Sequence, residues 1–312
     1  MRFRTRERAF GRATTMVFKL AKEPVVLSFA ALLAASLMAT LTGCLVQKRT
    51  TLPTVAAAPS LKSATLEELL EKVQQQQDGI KTLDATVEIE PSVSSAQKGE
   101  IVTYRDVRAF LLIRKPAFLR MIGQYPVVRN TAFDLASDGE RFGLYIPSKN
   151  RYITGNSRQG KQSKSALENL RPQHILDAML VEGPEKDKEE AALEVAKEGQ
   201  KSYYIVLILR RREDGNLLLA RKLWFEREQL TLARLQIFDE KGELATDARY
   251  SAYGEFSGVA YPRQILLDRP QNDYGLMFSV TQLKLNEPLG DEKFQMEQPA
   301  GAEMVDLEQA PS

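Results

Sequence analysis

The stretch TLEELLEKVQQQQDGIKTLDATVEIE, residues 65–90, contains the change of hydrophobic period that decides the fold. Thr65 and Glu68 have the spacing of a helix capping box, in which each side chain caps the other's backbone amide. Behind this box apolar residues recur near helical spacing, at Leu66, Leu69, Leu70, Val73 and Ile80. After Gly79 the pattern changes to the alternation of a strand. The stretch predicts an amphipathic helix that ends near Gly79 and a strand over Thr82–Glu90.

Short alternating segments continue to residue 285 and are separated by turn sequences such as Asp138-Gly139 and Glu213–Asn216. This spacing is typical of antiparallel strands joined by tight turns, because parallel strands need long crossover connections. We therefore expect a sheet of about eleven strands. The further segments are Glu100–Ile113, Phe118–Gln124, Asn130–Ser137, Arg141–Ile146, Arg151–Thr154, Ser202–Arg212, Leu217–Arg227, Leu232–Phe238, Leu244–Glu255, Gln264–Arg269 and Leu276–Leu285.

A helical and charged insertion at about residues 163–200 interrupts the strands. Pro172 suits a first helical turn, so a second, short helix is expected over Gln173–Leu180. Its apolar side consists of Ile175, Leu176, Met179 and Leu180. The segment Glu182–Gln200 is rich in Glu, Lys and Ala and is predicted to be a solvated insertion or an exposed helix. The last residues, 298–312, are expected to be disordered.

These elements together predict the fold class. A long twisted sheet curls instead of staying flat, and the two amphipathic helices must bury their apolar sides against it. We therefore expect an α+β fold that is mostly β, with residues 64–297 as one domain. Its curved antiparallel sheet would form an unclosed barrel lidded by helices. Leu176, Met179 and Leu180 would then close an apolar cavity above the sheet.

The N-terminal region ends in Leu41-Thr42-Gly43-Cys44, which contains the only cysteine of the 312 residues. A basic leader and an apolar run, Val25–Leu41, precede this motif. The motif resembles the lipobox of bacterial lipoproteins. That resemblance implies a signal peptide over residues 1–43 that is cut between Gly43 and Cys44. It also implies a covalent diacylglycerol and an N-acyl chain on Cys44, with residues 44–63 as a flexible tether.

Alternatives for this region stay open. An uncleaved membrane helix would make the cysteine incidental, and a start at Met16 instead of Met1 would give a signal peptide of ordinary length. In the lipoproteins that the motif resembles, an Asp after the lipidated cysteine signals retention in the inner membrane. This chain has Leu45 at that position. The resemblance therefore implies an anchor in the outer membrane, with the domain on the periplasmic side.

The charge balance excludes some classes of partner. Residues 1–43 hold seven of the 43 basic and two of the 41 acidic side chains, so the remainder carries 36 and 39 and a net charge near −3. Such a chain has no electrostatic basis for binding nucleic acid. With Cys44 acylated, no cysteine is left for a disulfide, so stability must come from the core.

The order of elements resembles the LolA/LolB superfamily of bacterial lipoprotein carriers and receptors. Four segments carry most of the resemblance: Phe110–Arg120 with its Lys115-Pro116 pair, Phe133–Arg151, Leu223–Gly242 and Asn286–Phe294. The resemblance implies a hydrophobic cavity for acyl chains. It also implies that an arginine on an early strand helps hold the lid, for which Arg120 is the closest match and Arg114 the second. A lipobox on such a domain is more similar to the anchored receptor than to the soluble carrier.

The candidates for chemistry are few. His174 is the only histidine, so neither a nucleophilic triad nor a His-rich metal site is supported, and a surface or lid position is expected for it. The acidic residues beside glycines are explained by turns. Trp224 and Phe225 could line the cavity or sit in an ordinary core. The sequence therefore favours a protein that is not an enzyme, with no cofactor besides the lipid on Cys44.

Two functions compete. The first is a monomeric, lipid-anchored protein that binds acyl chains or lipoprotein cargo in the apolar cavity. The second is a structural or sensory lipoprotein that uses the same half-barrel to bind a protein partner. A copurifying hydrophobic ligand would favour the first function, and a cavity filled by the protein's own side chains would favour the second.

Overall fold

The computed structural model describes residues 60–95, 100–103, 106–158 and 169–309. All of them belong to one compact unit, Pro59–Ser312. The leader, the Leu41–Cys44 motif and the tether as far as residue 59 lie outside the described residues. Signal cleavage, lipidation and anchoring therefore stay predictions.

Both predicted helices are present, as α1 (Leu66–Gly79) and α2 (Pro172–Met179). The capping box is formed as predicted. The backbone N–H of Thr65 donates to the Glu68 carboxylate at 2.8 Å, and that of Glu68 donates to the Thr65 hydroxyl at 3.3 Å. Pro172 occupies the first turn of α2, where a missing N–H costs no intrahelical hydrogen bond.

The remaining regular structure consists of strands. In chain order they are β1 (Thr82–Ser95), β2 (Glu100–Thr103), β3 (Val107–Arg114), β4 (Phe118–Gln124), β5 (Thr131–Ser137), β6 (Arg141–Ile146), β7 (Arg151–Asn156), β8 (Glu189–Glu198), β9 (Lys201–Arg211), β10 (Leu217–Glu226), β11 (Thr231–Phe238), β12 (Leu244–Phe256), β13 (Val259–Arg269), β14 (Tyr274–Leu285) and β15 (Glu303–Asp306).

All the described strands form one sheet of fifteen strands, in the order β15-β7-β6-β5-β4-β3-β1-β14-β13-β12-β11-β10-β9-β8, with β2 paired to β1. The neighbours are antiparallel except β15, which runs parallel to β7. The sheet is curved and does not close into a barrel. The predicted fold class is thereby confirmed, although the sheet has more strands than the expected eleven or so.

Two segments differ from their predictions. Glu182–Gln200 is neither a solvated insertion nor a helix, because it contains β8, which pairs along its whole length with β9. The tail is not disordered over its described part, because β15 pairs with β7 and Leu307 is buried. Both strands lie at an edge of the sheet, where pairing with the neighbouring strand outweighs the local preference of the sequence.

The sheet has one face that carries the core. Buried side chains alternate along the strands, as in β3 and β4, and they form one cluster with the buried residues of α1 and α2. We call the side of this cluster the helix face and the other side the opposite face. Leu119 and Met121 point to the helix face, so Arg120 between them points to the opposite face.

Candidate functional site

The short helix α2 fills the space that the sequence predicts as a cavity. Ile175, Leu176 and Met179 are 0–3% exposed and Leu180 is 9% exposed, all within the core cluster of the helix face. The last turn ends at Leu180, whose backbone N–H donates to the Leu176 carbonyl at 2.8 Å. The four predicted lid residues thus lie together between helix and sheet. In the described arrangement the protein's own side chains occupy this apolar face.

Two tyrosines of the sheet hold the C-terminal end of α2. The Tyr250 hydroxyl donates to the Ala178 carbonyl at 2.9 Å, and the Tyr261 hydroxyl donates to the Met179 carbonyl at 3.0 Å. These carbonyls belong to the last turn, where a helix has no intrahelical donors left. Burial raises the pKa of both tyrosines, so the hydroxyls stay protonated and can donate. We call this pair the tyrosine latch.

A third tyrosine contacts the first turn of α2. The Tyr274 hydroxyl lies 2.7 Å from Nδ1 of His174, and both side chains are buried. Burial lowers the pKa of His174 well below its ordinary value, and the guanidinium groups of Arg269 and Arg171 lower it further. His174 is therefore neutral at neutral pH. Of the two expected positions, the surface position is wrong, because the side chain is only 8% exposed, while His174 does lie on the short helix that is predicted as a lid.

The two aromatic candidates of β10 point to different faces. Phe225 is 3% exposed and belongs to the core cluster of the helix face. Trp224 is half-buried on the opposite face, where its Nε1 donates to Gln236 at 3.0 Å and the Arg234 guanidinium lies over its ring. Phe225 alone of this pair shares the core of the helix face with α2.

Arg120 lies on the face opposite to the helices. Its Nε and Nη2 donate to the two carboxylate oxygens of Asp134 at 2.7 and 2.6 Å, and its Nη1 donates to the Gln295 carbonyl at 2.6 Å. Arg114, the second candidate, donates to the Leu289 carbonyl at 2.8 Å and pairs with Asp291. Both arginines therefore hold the C-terminal segment, residues 289–296, which we call the strap. Within the described residues neither arginine is hydrogen-bonded to α2, and the lid role implied by resemblance stays a prediction.

A pocket of about 510 Å³ lies between the strap and strands β4–β7. Phe118 and Phe294 form part of its wall, with ring centroids 5.6 Å apart. Gly143 allows the close approach of Tyr152 in this lining, because a Cβ there would lie 2.4 Å from the Tyr152 hydroxyl. The pocket combines polar and apolar walls, and the strap forms one side of it.

Two features are absent from the described residues, a group of metal ligands and a membrane-spanning helix. Within the described ranges, no three His, Cys, Asp or Glu side chains are grouped as possible metal ligands. In the same part of the chain, no helix is both long enough and apolar enough to cross a membrane. The predictions from sequence did not include Tyr250, Tyr261 and Tyr274. The one signal for them in the sequence is their residue type, because a buried tyrosine hydroxyl needs a hydrogen-bond partner.

No family model and no curated protein matches the chain. Solved structures do match. A LolA superfamily protein from Nitrosomonas europaea is 14% identical with a TM-score of 0.47, over 75% of this chain and 99% of its own. A putative outer membrane lipoprotein-sorting protein domain from Vibrio parahaemolyticus is 15% identical with a TM-score of 0.47, over 72% and 95%. A DUF1329 family protein from Desulfovibrio piger is 15% identical with a TM-score of 0.44, over 75% and 98%. The first carries the name of the superfamily that the sequence resembles.

Proposed function

We propose that this chain is a non-catalytic lipoprotein, anchored through Cys44 on the periplasmic side of the outer membrane, that binds acyl chains on the apolar face of the sheet that α2 covers. The observation that carries the proposal is the placement of α2. Its four apolar side chains lie on the helix face of an unclosed sheet, and the tyrosine latch holds its last turn from outside the helix. We infer that an acyl chain can displace α2 from the helix face and bind in its place.

The apolar side chains of α2 and an acyl chain gain comparable free energies of burial on this face. Burying one large aliphatic side chain stabilises the closed arrangement by about 1.5–3 kcal/mol, so the four together contribute roughly 8 kcal/mol. Each methylene of an acyl chain gains about 0.8 kcal/mol on the same surface. A chain of about ten methylenes therefore offsets the displacement of α2. Met179 suits a surface that accepts chains of variable shape, because its side chain is unbranched and flexible.

The binding step is tested on purified residues 60–312, which contain every described element. We expect native mass spectrometry to detect a bound phospholipid or acylated peptide, and dansyl-undecanoic acid to bind with one-to-one stoichiometry. Leu176→Asp places a charge on the buried side of α2 and weakens its packing against the sheet, so it should release α2 and increase probe affinity. Leu217→Asp is the matched control, because Leu217 is 47% exposed on β10. A folded wild-type protein that binds neither lipid nor probe would refute acyl-chain binding.

The anchor needs a separate measurement. We expect the intact mass of the full chain, produced in a Gram-negative bacterium, to show loss of residues 1–43 and addition of a diacylglycerol and an acyl chain. Cys44→Ser should leave the protein unlipidated and outside the membrane fraction. An unmodified Cys44 in a membrane-bound wild-type protein would support the uncleaved helix instead.

One observation favours the alternative function. The helix face is filled by side chains of the protein itself, with Ile175 fully buried. If α2 never leaves that face, the domain is a structural or sensory module that acts by binding a protein partner. Failure of the probe experiment with an intact anchor would identify this second function.

A further inference from the structure

The strand β8 forms one end of the sheet and leaves an edge open. In the sheet order β8 is the last strand, and within the described residues it pairs only with β9. It is ten residues long, Glu189–Glu198. An edge strand presents a row of backbone donors and acceptors that can pair with another strand.

The backbone of β8 shows which residues face this edge. The N–H of Arg211 donates to the Lys188 carbonyl at 3.2 Å, and the β8–β9 register places these two residues directly opposite each other. They are therefore a hydrogen-bonded pair, and such pairs alternate along an antiparallel ladder. The even-numbered residues of β8 bond to β9. Consequently Ala191, Leu193 and Val195 direct their N–H and C=O groups to the open edge.

The same three residues extend the apolar helix face beyond the core. In the β8–β9 register they lie opposite Ile208, Val206 and Tyr204, which are all buried. Leu193 is 36% exposed and Val195 is 60% exposed. An apolar strip thus runs along the open edge, and no other described strand pairs with that edge.

We propose that β8 pairs antiparallel with β8 of a second copy of this chain, with Leu193 opposite Leu193 at the two-fold axis. This register also places Ala191 opposite Val195, so the apolar strips of the two copies join on the same face. Each of these pairs exchanges two hydrogen bonds, because the residues involved are those that face the open edge. The proposal replaces the monomer expected from the sequence and does not depend on acyl-chain binding.

The charges on β8 favour this register over the two registers next to it. In the proposed register Glu194 faces Ala192, and Glu190 faces Ala196. A shift by two residues in one direction places Glu190 opposite Glu194, and in the other direction it places Glu194 opposite Glu194. These positions are the closely spaced pairs of the new ladder, where like charges are destabilising. A shift by one residue is excluded, because it would turn the apolar strip of one copy to the wrong face.

Association is tested with the full chain purified in a nonionic detergent and studied by sedimentation velocity over a range of concentrations. We expect a monomer–dimer equilibrium. Leu193→Lys places two lysines opposite each other and should weaken dimerisation at least tenfold. Ala196→Lys adds the same charge opposite Glu190 and should leave dimerisation unchanged or tighter. A wild-type protein that stays monomeric, or two variants that behave alike while folded, would overturn the proposal.

The register is tested by oxidative cross-linking of the full chain, whose only native cysteine is Cys44. Opposite residues of a hydrogen-bonded pair have Cα atoms about 5.5 Å apart, within the range of a disulfide. Leu193→Cys should therefore form a covalent dimer. Ala191→Cys and Val195→Cys should cross-link when mixed and not alone. If β8 instead accepts an extended peptide from another protein, Leu193→Cys stays uncross-linked and the self-pairing is refuted.

Discussion

The hydroxyl of Tyr261 on β13 donates to the main-chain carbonyl of Met179, 3.0 Å away, at the last residue of α2. Tyr261 is 1% exposed, so water cannot replace this bond while the core is closed. The carbonyl of the last residue of α2 therefore depends on one side chain of the sheet for its hydrogen bond.

Tyr261→Phe should lower the free energy of unfolding by about 1–3 kcal/mol, because it leaves a buried carbonyl without its donor. It should also increase the affinity for dansyl-undecanoic acid, since α2 then leaves the sheet more easily. Both quantities are measured on residues 60–312, by chemical denaturation and by fluorescence titration.

The control for this prediction is Tyr253→Phe. The Tyr253 hydroxyl donates at 2.7 Å to the carbonyl of Leu232 on β11 and not to a carbonyl of α2. This variant should lose some stability and keep the wild-type probe affinity. Equal effects of the two variants on probe affinity would contradict the latch.

His174 predicts a specific dependence of stability on pH. Its pKa is lowered in the folded protein, so the unfolded chain binds more protons below the ordinary value of 6.5. Stability is therefore fully present above that value and is lost as the pH falls toward the lowered pKa. The limiting slope is about 1.4 kcal/mol per pH unit.

His174→Gln should remove this component when the free energy of unfolding is compared with wild type between pH 7 and 5. Burial raises the pKa of Asp177, and this raised pKa acts in the opposite direction. Asp177 is present in both proteins, so the difference between them isolates the histidine. Parallel pH curves for the two proteins would show that His174 does not titrate on unfolding in this range.

Arg120→Gln should release the strap. The variant loses a bidentate pair with Asp134, whose side chains are 17% and 18% exposed, together with the bond to the Gln295 carbonyl. We expect a loss of about 2 kcal/mol in the free energy of unfolding. Hydrogen exchange of residues 289–296 should accelerate more than that of α2. Arg108→Gln, the same change at an exposed position on β3, should alter neither quantity. A rise in exchange confined to α2 would instead support the lid role.

Gly143→Ala should destabilise the protein by about 1–3 kcal/mol, because its Cβ would meet the Tyr152 hydroxyl at 2.4 Å and the Met296 methyl group at 2.9 Å. Gly183→Ala is the matched control, since its neighbours lie at 3.9 Å, an ordinary contact. Urea denaturation of both variants measures the difference. Similar urea midpoints of unfolding would show that Tyr152 and Met296 move aside without a loss of stability.

The predictions from sequence succeeded where the signal is local. The start of α1 follows from Thr65 and Glu68, three residues apart, and most strands from their alternation and turns. They failed for β8, whose run of Glu, Lys and Ala favours a helix or a solvated segment. Pairing with β9 overrides that propensity, because the ladder hydrogen bonds and cross-strand side-chain contacts stabilise the strand by more than its unfavourable local propensity costs.

The sequence by itself determined the fold class, both helices and the apolar side of α2, because hydrophobic period and caps depend on residues a few positions apart. Only the tertiary structure decided what covers each face of the sheet. A strand's alternation shows that Arg120 and Leu119 point to opposite sides, without showing which side meets the helices and which meets the strap. That choice, like the contact of Tyr261 with Met179 across 82 positions of the chain, depends on long-range packing, which leaves no periodic trace in the sequence.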